Sequence, residues 1–146
     1  MNYLLDTDTV ADLYDLFVPE HASISRRVAQ LADDDELCIS ILTHCELEYS
    51  YDNSPDSMKQ KLRKQIDHIL RSFSILPLDG QVARYFAELK SGLKNLRLID
   101  RANIRRHNID FLIAATALDQ SCVLVSHDAV YQDLAQINSA LRVEVW

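Results

Sequence analysis

Short apolar runs alternate with amphipathic stretches from one end of this chain to the other, and few folds accept that pattern. Asn2 to Leu5, Glu36 to Ser40, Phe73 to Pro77, Cys122 to Ser126 and Leu141 to Val145 read as strands. They are short, mostly Leu, Ile and Val, and bounded by polar or turn-forming residues. The stretches between them have helical spacing. One runs from Val10 to about Phe17, before Pro19; the next, from Glu20 or Ser23 to Ala32, carries Ile24, Val28 and Leu31. Leu42 to Tyr51 is followed by the breaker Asn53-Ser54-Pro55, and Pro55 or Asp56 opens a helix with Leu62, Ile66, Ile69 and Leu70 on one face. Asp79 caps a long helix with Val82, Phe86, Leu89 and Leu93, and further helices span Asn108 to Asp119 and Ala129 to Ala135. Only Leu96 to His107, basic and without glycine or a clean period, is expected to be a loop or irregular helical connection. Strands alternating with helices over short connections form a parallel sheet covered on both faces, so the class is α/β.

The 146 residues are enough for one domain, 1–146, with a substantial core. The longest apolar run, Phe111 to Leu118, is far shorter than the ~18 residues needed to span a bilayer, so no membrane association is expected. The N-terminus has no basic region leading into an apolar one. Cys38, Cys45 and Cys122 show neither metal nor redox spacing, and two of them sit in strand-like runs as small hydrophobes. A reducing cytoplasm is the expected location. The only glycines are Gly80 and Gly92, too few and too far apart for a phosphate-cradling or dinucleotide-binding loop.

The net charge of −7 argues against a general nucleic-acid binder, but the cations are clustered. Lys59, Lys61, Arg63 and Lys64 read as a solvated helix face. Lys90, Lys94, Arg97, Arg101, Arg105 and Arg106 form a longer group, dense enough to meet phosphates.

Four carboxylates stand out by position. Asp6 ends the first strand and Asp128 follows the fourth. Glu46 lies in the helix directly after the second strand, and Asp110 opens a helix that is apolar nearly all round: Ile109, Phe111, Leu112, Ile113, Ala114, Ala115, Ala117, Leu118. A helix apolar on every side belongs in an interior, where a charge needs a partner. Each acid has an ordinary alternative: Asp6 or Thr7 as an N-cap, Asp110 as a helix-start charge, Glu46 as a surface glutamate. What sets them apart is that strand ends of a parallel sheet gather on one rim, where ligands of such sheets bind. Acids converging there repel one another, and a hard divalent cation with oxygen ligands, Mg²⁺ or Mn²⁺, relieves the repulsion and suits phosphodiester cleavage. Thr7, Thr43 and Ser126 are placed to support the carboxylates through hydrogen bonds. His44, His107 and His127 lie near the proposed site without the spacing of a zinc pair.

Four stretches together resemble the PIN-domain nucleases, most closely the VapC-type toxins of type II toxin–antitoxin pairs. They are Leu4-Leu5-Asp6-Thr7-Asp8; Ser40 through Thr43 to Glu46-Leu47; Asp110-Phe111-Leu112-Ile113-Ala114-Ala115-Thr116-Ala117; and Leu124-Val125-Ser126-His127-Asp128. The resemblance covers almost the whole chain, and the third stretch is its most specific part. It implies a three-layer α/β/α PIN-like fold with a central, mostly parallel sheet. It also implies Mg²⁺- or Mn²⁺-dependent RNA cleavage with Asp6, Glu46, Asp110 and Asp128 as the catalytic and metal-binding quartet. Thr7, Asp8, Thr43 and Ser126 would support that quartet, and Arg101, Arg105 and Arg106 would guide RNA. A small cognate antitoxin and a homodimer are implied as partners. Asp8 and His127 stand where the family often has asparagine, and the segment before Asp110 is arginine-rich where a glycine is usual.

Two rival readings remain. Asp6-Thr7-Asp8 also fits the two-aspartate signature of a haloacid-dehalogenase-like phosphatase, with Asp6 as nucleophile and Asp8 as acid. That reading lacks a lysine at a convincing strand end before Asp128. The other is a catalytically inert PIN-like binding protein, against which all four acids are present.

Overall fold

The computed structural model describes residues 1–97 and 101–146. Its centre is β1 (Asn2–Leu5), which pairs in parallel with β2 (Glu36–Ser40) on one side and β4 (Val123–Val125) on the other. β3 (Ser74–Leu76) and β5 (Arg142–Glu144) complete a five-stranded, all-parallel sheet in the order β3-β2-β1-β4-β5. Side chains of β1 alternate in direction, as the period of a strand requires. Leu4 joins Cys38 and Leu124 on one face of the sheet, while Tyr3 and Leu5 join Ile39, Val123 and Val125 on the other.

Helices cover each face. On the Leu4 side lie α5 (Gly80–Arg97), α7 (Asn108–Asp119) and α8 (Ala129–Ile137), contributing Leu89, Leu93, Phe111, Ile113, Tyr131 and Leu134. On the Leu5 side, α1 (Thr7–Tyr14), α2 (Glu20–Val28) and α4 (Asp56–Ser72) contribute Val10, Ile24 and Ile69. The arrangement is therefore α/β/α in three layers. Between them α3 (Ile41–Asp52), which begins with no intervening loop after β2, sends Leu42 to the first core and Leu47 to the second. Close packing on the Leu4 side depends on small residues. Ala114, Ala115 and Ala117 are buried in α7, and a Cβ on Gly92 of α5 would come within 2.3 Å of Ile137 on α8. No helix among the described residues is long and apolar enough to cross a membrane.

Expected and observed elements differ mainly at their ends. α1 stops at Tyr14 rather than near Phe17, and α2 at Val28 rather than Ala32; Leu16 and Phe17 are left exposed. The 96–107 stretch is more helical than its sequence suggests. α5 continues to Arg97, a short α6 spans Arg101–Ile104, and a 3-10 turn over Arg105–His107 leads into α7. Residues 98–100, in the middle of this stretch, lie outside the described residues.

The turn between α7 and β4 brings β4 into register beside β1. Ser121 N–H donates to Leu118 O at 3.3 Å and Cys122 N–H to Ala117 O at 2.9 Å, closing the helix in a Schellman motif. The motif places Ser121 in the left-handed region, at φ 54°. An L-residue with a Cβ is disfavoured there, whereas glycine is not. Ser121→Gly should therefore stabilise the protein by about 0.5–1 kcal/mol, less the extra entropy glycine gives the unfolded chain. A denaturant midpoint below that of the wild type would show that this turn carries no strain.

Candidate active site

Because all strands are parallel, their carboxyl ends lie on one edge of the sheet. Leu5 pairs with Ile39 and with Val125, which puts Asp6, Ser40 and Ser126 side by side. Three helices begin at that edge. Asp6 caps α1, its Oδ1 accepting the Thr9 N–H at 2.8 Å; Ser40 caps α3, its Oγ accepting the Leu42 N–H at 3.2 Å; Asp128 caps α8, its Oδ1 accepting the Val130 N–H at 2.8 Å. The capping role anticipated for Asp6 is thus real, and it holds the carboxylate in place at the rim.

Asp6, Glu46, Asp110 and Asp128 all line one open cavity of roughly 220 Å³. Asp6 lies deepest, 5% exposed, and Asp128 is exposed at the mouth. Each acid is held by donors from its neighbours. Ser126 donates its hydroxyl proton to Asp6 Oδ2 and accepts the Asp128 N–H at 3.0 Å, so one hydroxyl ties two of the acids together. Thr7 donates to Glu46 Oε2, and the Thr43 hydroxyl lies 3.2 Å from that of Thr7. His107 Nδ1 lies 2.9 Å from Asp110 Oδ2. Asp8, expected in a supporting role, stands on the same wall. It is exposed and forms part of the cavity wall, adding a charge to the site.

Burial pushes the Asp6 carboxyl above the ordinary aspartate range, and its bonds from Ser126 and Thr9 only partly offset this. Asp110 is raised for the same first reason, opposed by His107 and raised further by the charge of Asp128. The wall also includes Tyr131, which the sequence reading did not single out. Its hydroxyl is held protonated, first by burial and then by the charges of Asp110, Asp6, Asp128 and Glu46.

The basic residues divide. Arg106 lines the cavity; Arg105 is exposed but does not; the side chain of Arg101 lies outside the described part of the structure. Arg97 is paired with Asp133, and Lys90 Nζ donates to Asn108 Oδ1 at 2.7 Å. In the first cluster, Arg63 grips Glu48 with two hydrogen bonds of 2.9 and 2.7 Å and lies 4.2 Å over the Tyr51 ring, as a structural helix-face residue would. His44 faces Glu48 at 3.4 Å, away from the acids, whereas His127 is exposed in an adjoining hollow with Asp8, Asp12 and Asp128. Among the described residues no lysine lines the cavity, and the phosphatase reading needs one.

Among the described residues no three Asp, Glu, His or Cys side chains are already gathered closely enough to ligate one ion. The donor set still fits a hard divalent cation. Mg²⁺ and Mn²⁺ prefer oxygen ligands and keep waters among them, and the cavity offers four carboxylates with space for waters between them.

The raised Asp6 sets a pH dependence. A carboxyl whose folded value is raised contributes stability below its ordinary value and loses that contribution as pH rises through the raised one. Ionised Asp6 therefore opposes folding at neutral pH. Asn can cap a helix as well as Asp does, so Asp6→Asn should melt higher than wild type at pH 7 in chelator. The advantage should vanish as pH falls below the ordinary aspartate range. Melting curves across pH check this, and an advantage independent of pH would assign it to something other than charge.

Comparison with known proteins agrees with this architecture. VapBC2 from Rickettsia felis, solved bound to a DNA fragment from its promoter, is 24% identical with a TM-score of 0.78, the alignment covering 100% of this chain and 99% of that one. VapBC-1 from nontypeable Haemophilus influenzae is 24% identical with a TM-score of 0.76, covering 100% and 98%. VapBC-5 from Mycobacterium tuberculosis, a member of the VapBC family of toxin–antitoxin systems, is 20% identical with a TM-score of 0.63, covering 99% and 96%. No curated protein sequence matches the chain. The PIN domain family matches residues 3–137, and the chain belongs to that family.

Proposed function

We propose that this protein is a Mg²⁺- or Mn²⁺-dependent endoribonuclease, the toxin of a toxin–antitoxin pair. The observation that carries the reading is the gathering of Asp6, Glu46, Asp110 and Asp128 on one cavity wall where Arg106 is the only cationic side chain among the described residues. The likeness to VapBC structures supports the toxin assignment.

In this reading Asp6, Asp110 and Asp128 hold the ion, and Glu46 takes part by direct ligation or through a water. The ion, when bound, supplies a more acidic water and offsets charge building on the phosphate. The chain's own residues do the rest. Ser126 and the Thr9 N–H hold Asp6, Thr7 holds Glu46, and His107 holds Asp110, so the carboxylates are oriented before any ligand arrives. Arg106, at the cavity wall, donates to non-bridging phosphate oxygens, and Arg101 and Arg105 steer the strand toward it. Water attack leaves a 5′-phosphate and a 3′-hydroxyl.

A nuclease of this kind acts in the cytoplasm and needs restraint. A small antitoxin fills that role, an arginine of the partner entering the acidic cavity and pairing with its carboxylates. The toxin acts as a homodimer.

Two experiments test the reading. Purified protein should cleave RNA with Mg²⁺ or Mn²⁺ and not with chelator, and Asp6→Asn should lose at least a hundredfold. Products ending in a cyclic phosphate would require attack by the 2′-hydroxyl and would overturn the mechanism. A covalent aspartyl-phosphate trapped on Asp6 would favour the phosphatase, and no Mn²⁺ binding would favour the inert binding protein. Separately, Arg106→Ala should weaken RNA binding more than Arg105→Ala, each lowering the slope of affinity against salt by about one. Equal losses, or none, would place both arginines on a solvated surface.

A further inference from the structure

Two residues after β5 the chain folds back onto the sheet, and Trp146 comes to rest on β1. Its ring is buried 5.1 Å from that of Tyr3, in the core cluster that also holds Val123 and Val125. A buried indole needs a partner for its N–H, and Trp146 Nε1 donates to Glu144 Oε2 at 2.8 Å. Arg27 of α2 closes the group. Its guanidinium carbon stands 5.6 Å from the centre of the Tyr3 ring and 5.4 Å from that of Trp146, and its Nη2 lies 3.6 Å from the same Glu144 oxygen. Together these contacts fix Glu144, the last residue of β5. That strand has three residues and lies at the edge of the sheet. Its ladder alone gives little to set against the entropy lost on ordering it.

Glu144 matters because of what its carbonyl holds. Glu144 O accepts the Ser126 N–H at 3.1 Å, one residue past the end of β4. Ser126 in turn donates its hydroxyl proton to Asp6 Oδ2 and accepts the Asp128 N–H at 3.0 Å. A hydroxyl shared between two groups tolerates little movement, because hydrogen bonds weaken steeply as their geometry departs from the ideal. We propose that Trp146 is a positioning residue for the acidic cavity: seated against Tyr3 and Arg27, it holds Glu144, and the Glu144 carbonyl sets where Ser126 stands between Asp6 and Asp128. Every link in the path is a hydrogen bond, from Trp146 Nε1 to the Glu144 side chain, from Ser126 N–H to Glu144 O, and from Ser126 Oγ to Asp6 and the Asp128 N–H. Phenylalanine or leucine would also cover Tyr3, but neither brings an N–H to Glu144. The placement of Ser126 is a property of the fold; its consequence for a bound ion and for RNA cleavage rests on the proposed function.

The test uses the full chain with Trp146→Ala. Because that variant loses a core side chain, Glu144→Ala is made beside it, its side chain being 41% exposed. Leu89→Ala, a core truncation on the opposite face of the sheet, is the control for lost stability alone. Amide hydrogen exchange read by NMR separates a local role from a general one. In Trp146→Ala and Glu144→Ala, the Ser126 and Asp128 amides should exchange about tenfold faster relative to the amides of the β1–β2 ladder. In Leu89→Ala the amides of the whole sheet should speed up together. Trp146→Phe, with a ring but no N–H, should behave as Glu144→Ala does, and Glu144→Gln, which keeps an oxygen for the indole, should behave as wild type. Mn²⁺ affinity, read by electron paramagnetic resonance, should fall about tenfold in Trp146→Ala and Glu144→Ala and stay near wild type in Leu89→Ala, since partners of metal ligands commonly matter to that degree. Ser126 and Asp128 amides that change only in step with the rest of the sheet, in both alanine variants, would make Trp146 a packing residue and overturn the proposal. A wild type that neither binds Mn²⁺ nor cleaves RNA would overturn the nuclease reading instead, and exchange at Ser126 would still decide for or against the positioning role.

Discussion

Asp6 is a carboxylate placed where carboxylates are costly. It lies 5% exposed at the end of the central strand, with apolar core on both faces of the sheet behind it. Burying a charge there without partners would cost several kcal/mol or neutralise the group. Two donors hold it, the Thr9 N–H and the Ser126 hydroxyl, and both depend on the fold being complete. Thr9 is available because α1 starts at once after β1; Ser126 is available because β4 pairs with β1 in a register that puts Val125 beside Leu5. The Asp6 N–H in turn donates to Val125 O at 3.1 Å, and the Thr9 hydroxyl to the same carbonyl at 3.2 Å. Strand register and acid placement are therefore one constraint. A slip of β4 by one residue would turn its core side chains to the other face and also take the hydroxyl from Asp6.

This coupling explains why so much of the site could be read from sequence. An apolar run that ends in Asp-Thr-Asp-Thr specifies a strand, a cap and an acid at the rim together. Asp128 is specified in the same way by Leu124-Val125-Ser126-His127-Asp128. Asp110 was legible for a different reason: the apolar girth of α7 required burial on nearly all sides and left the acid conspicuous. Ser126, Thr7 and Thr43 followed from needing donors near those acids.

The less legible residues are those whose role depends on packing between elements distant in sequence. Tyr131 occupies an ordinary apolar position of an amphipathic helix, and nothing in Ala129–Ile137 distinguishes its hydroxyl from a solvent-facing one. Only the packing of α7 and α8 on one face of the sheet brings it to the cavity wall that the acids share. His107 and Arg106 sit in a 3-10 turn, where three residues make a turn and helical spacing rules give the wrong faces. A usable signal for His107 was its place three residues before Asp110, which on a helical path brings the two side chains together. Asp8, between Thr7 and Thr9 on the first turn of α1, is exposed on the cavity wall.

The charge distribution carries one further implication for the proposed reaction. A chain of net charge −7 with its acids gathered at one opening repels a polyanion from the very place where cleavage would occur. Arg106, the one cation on the wall among the described residues, cannot reverse a field set by Asp6, Asp8, Glu46, Asp110 and Asp128. In the proposed reaction RNA affinity at the cavity would then depend on a bound cation, and metal and substrate would be thermodynamically coupled, each raising the affinity for the other. The proposed partner's arginine would compete in the same electrostatic terms, since it would neutralise the acids without providing an ion to the phosphate. In that proposal restraint by a partner and activation by metal would be alternative ways of satisfying one cluster of carboxylates, already oriented by the hydroxyls of Ser126 and Thr7.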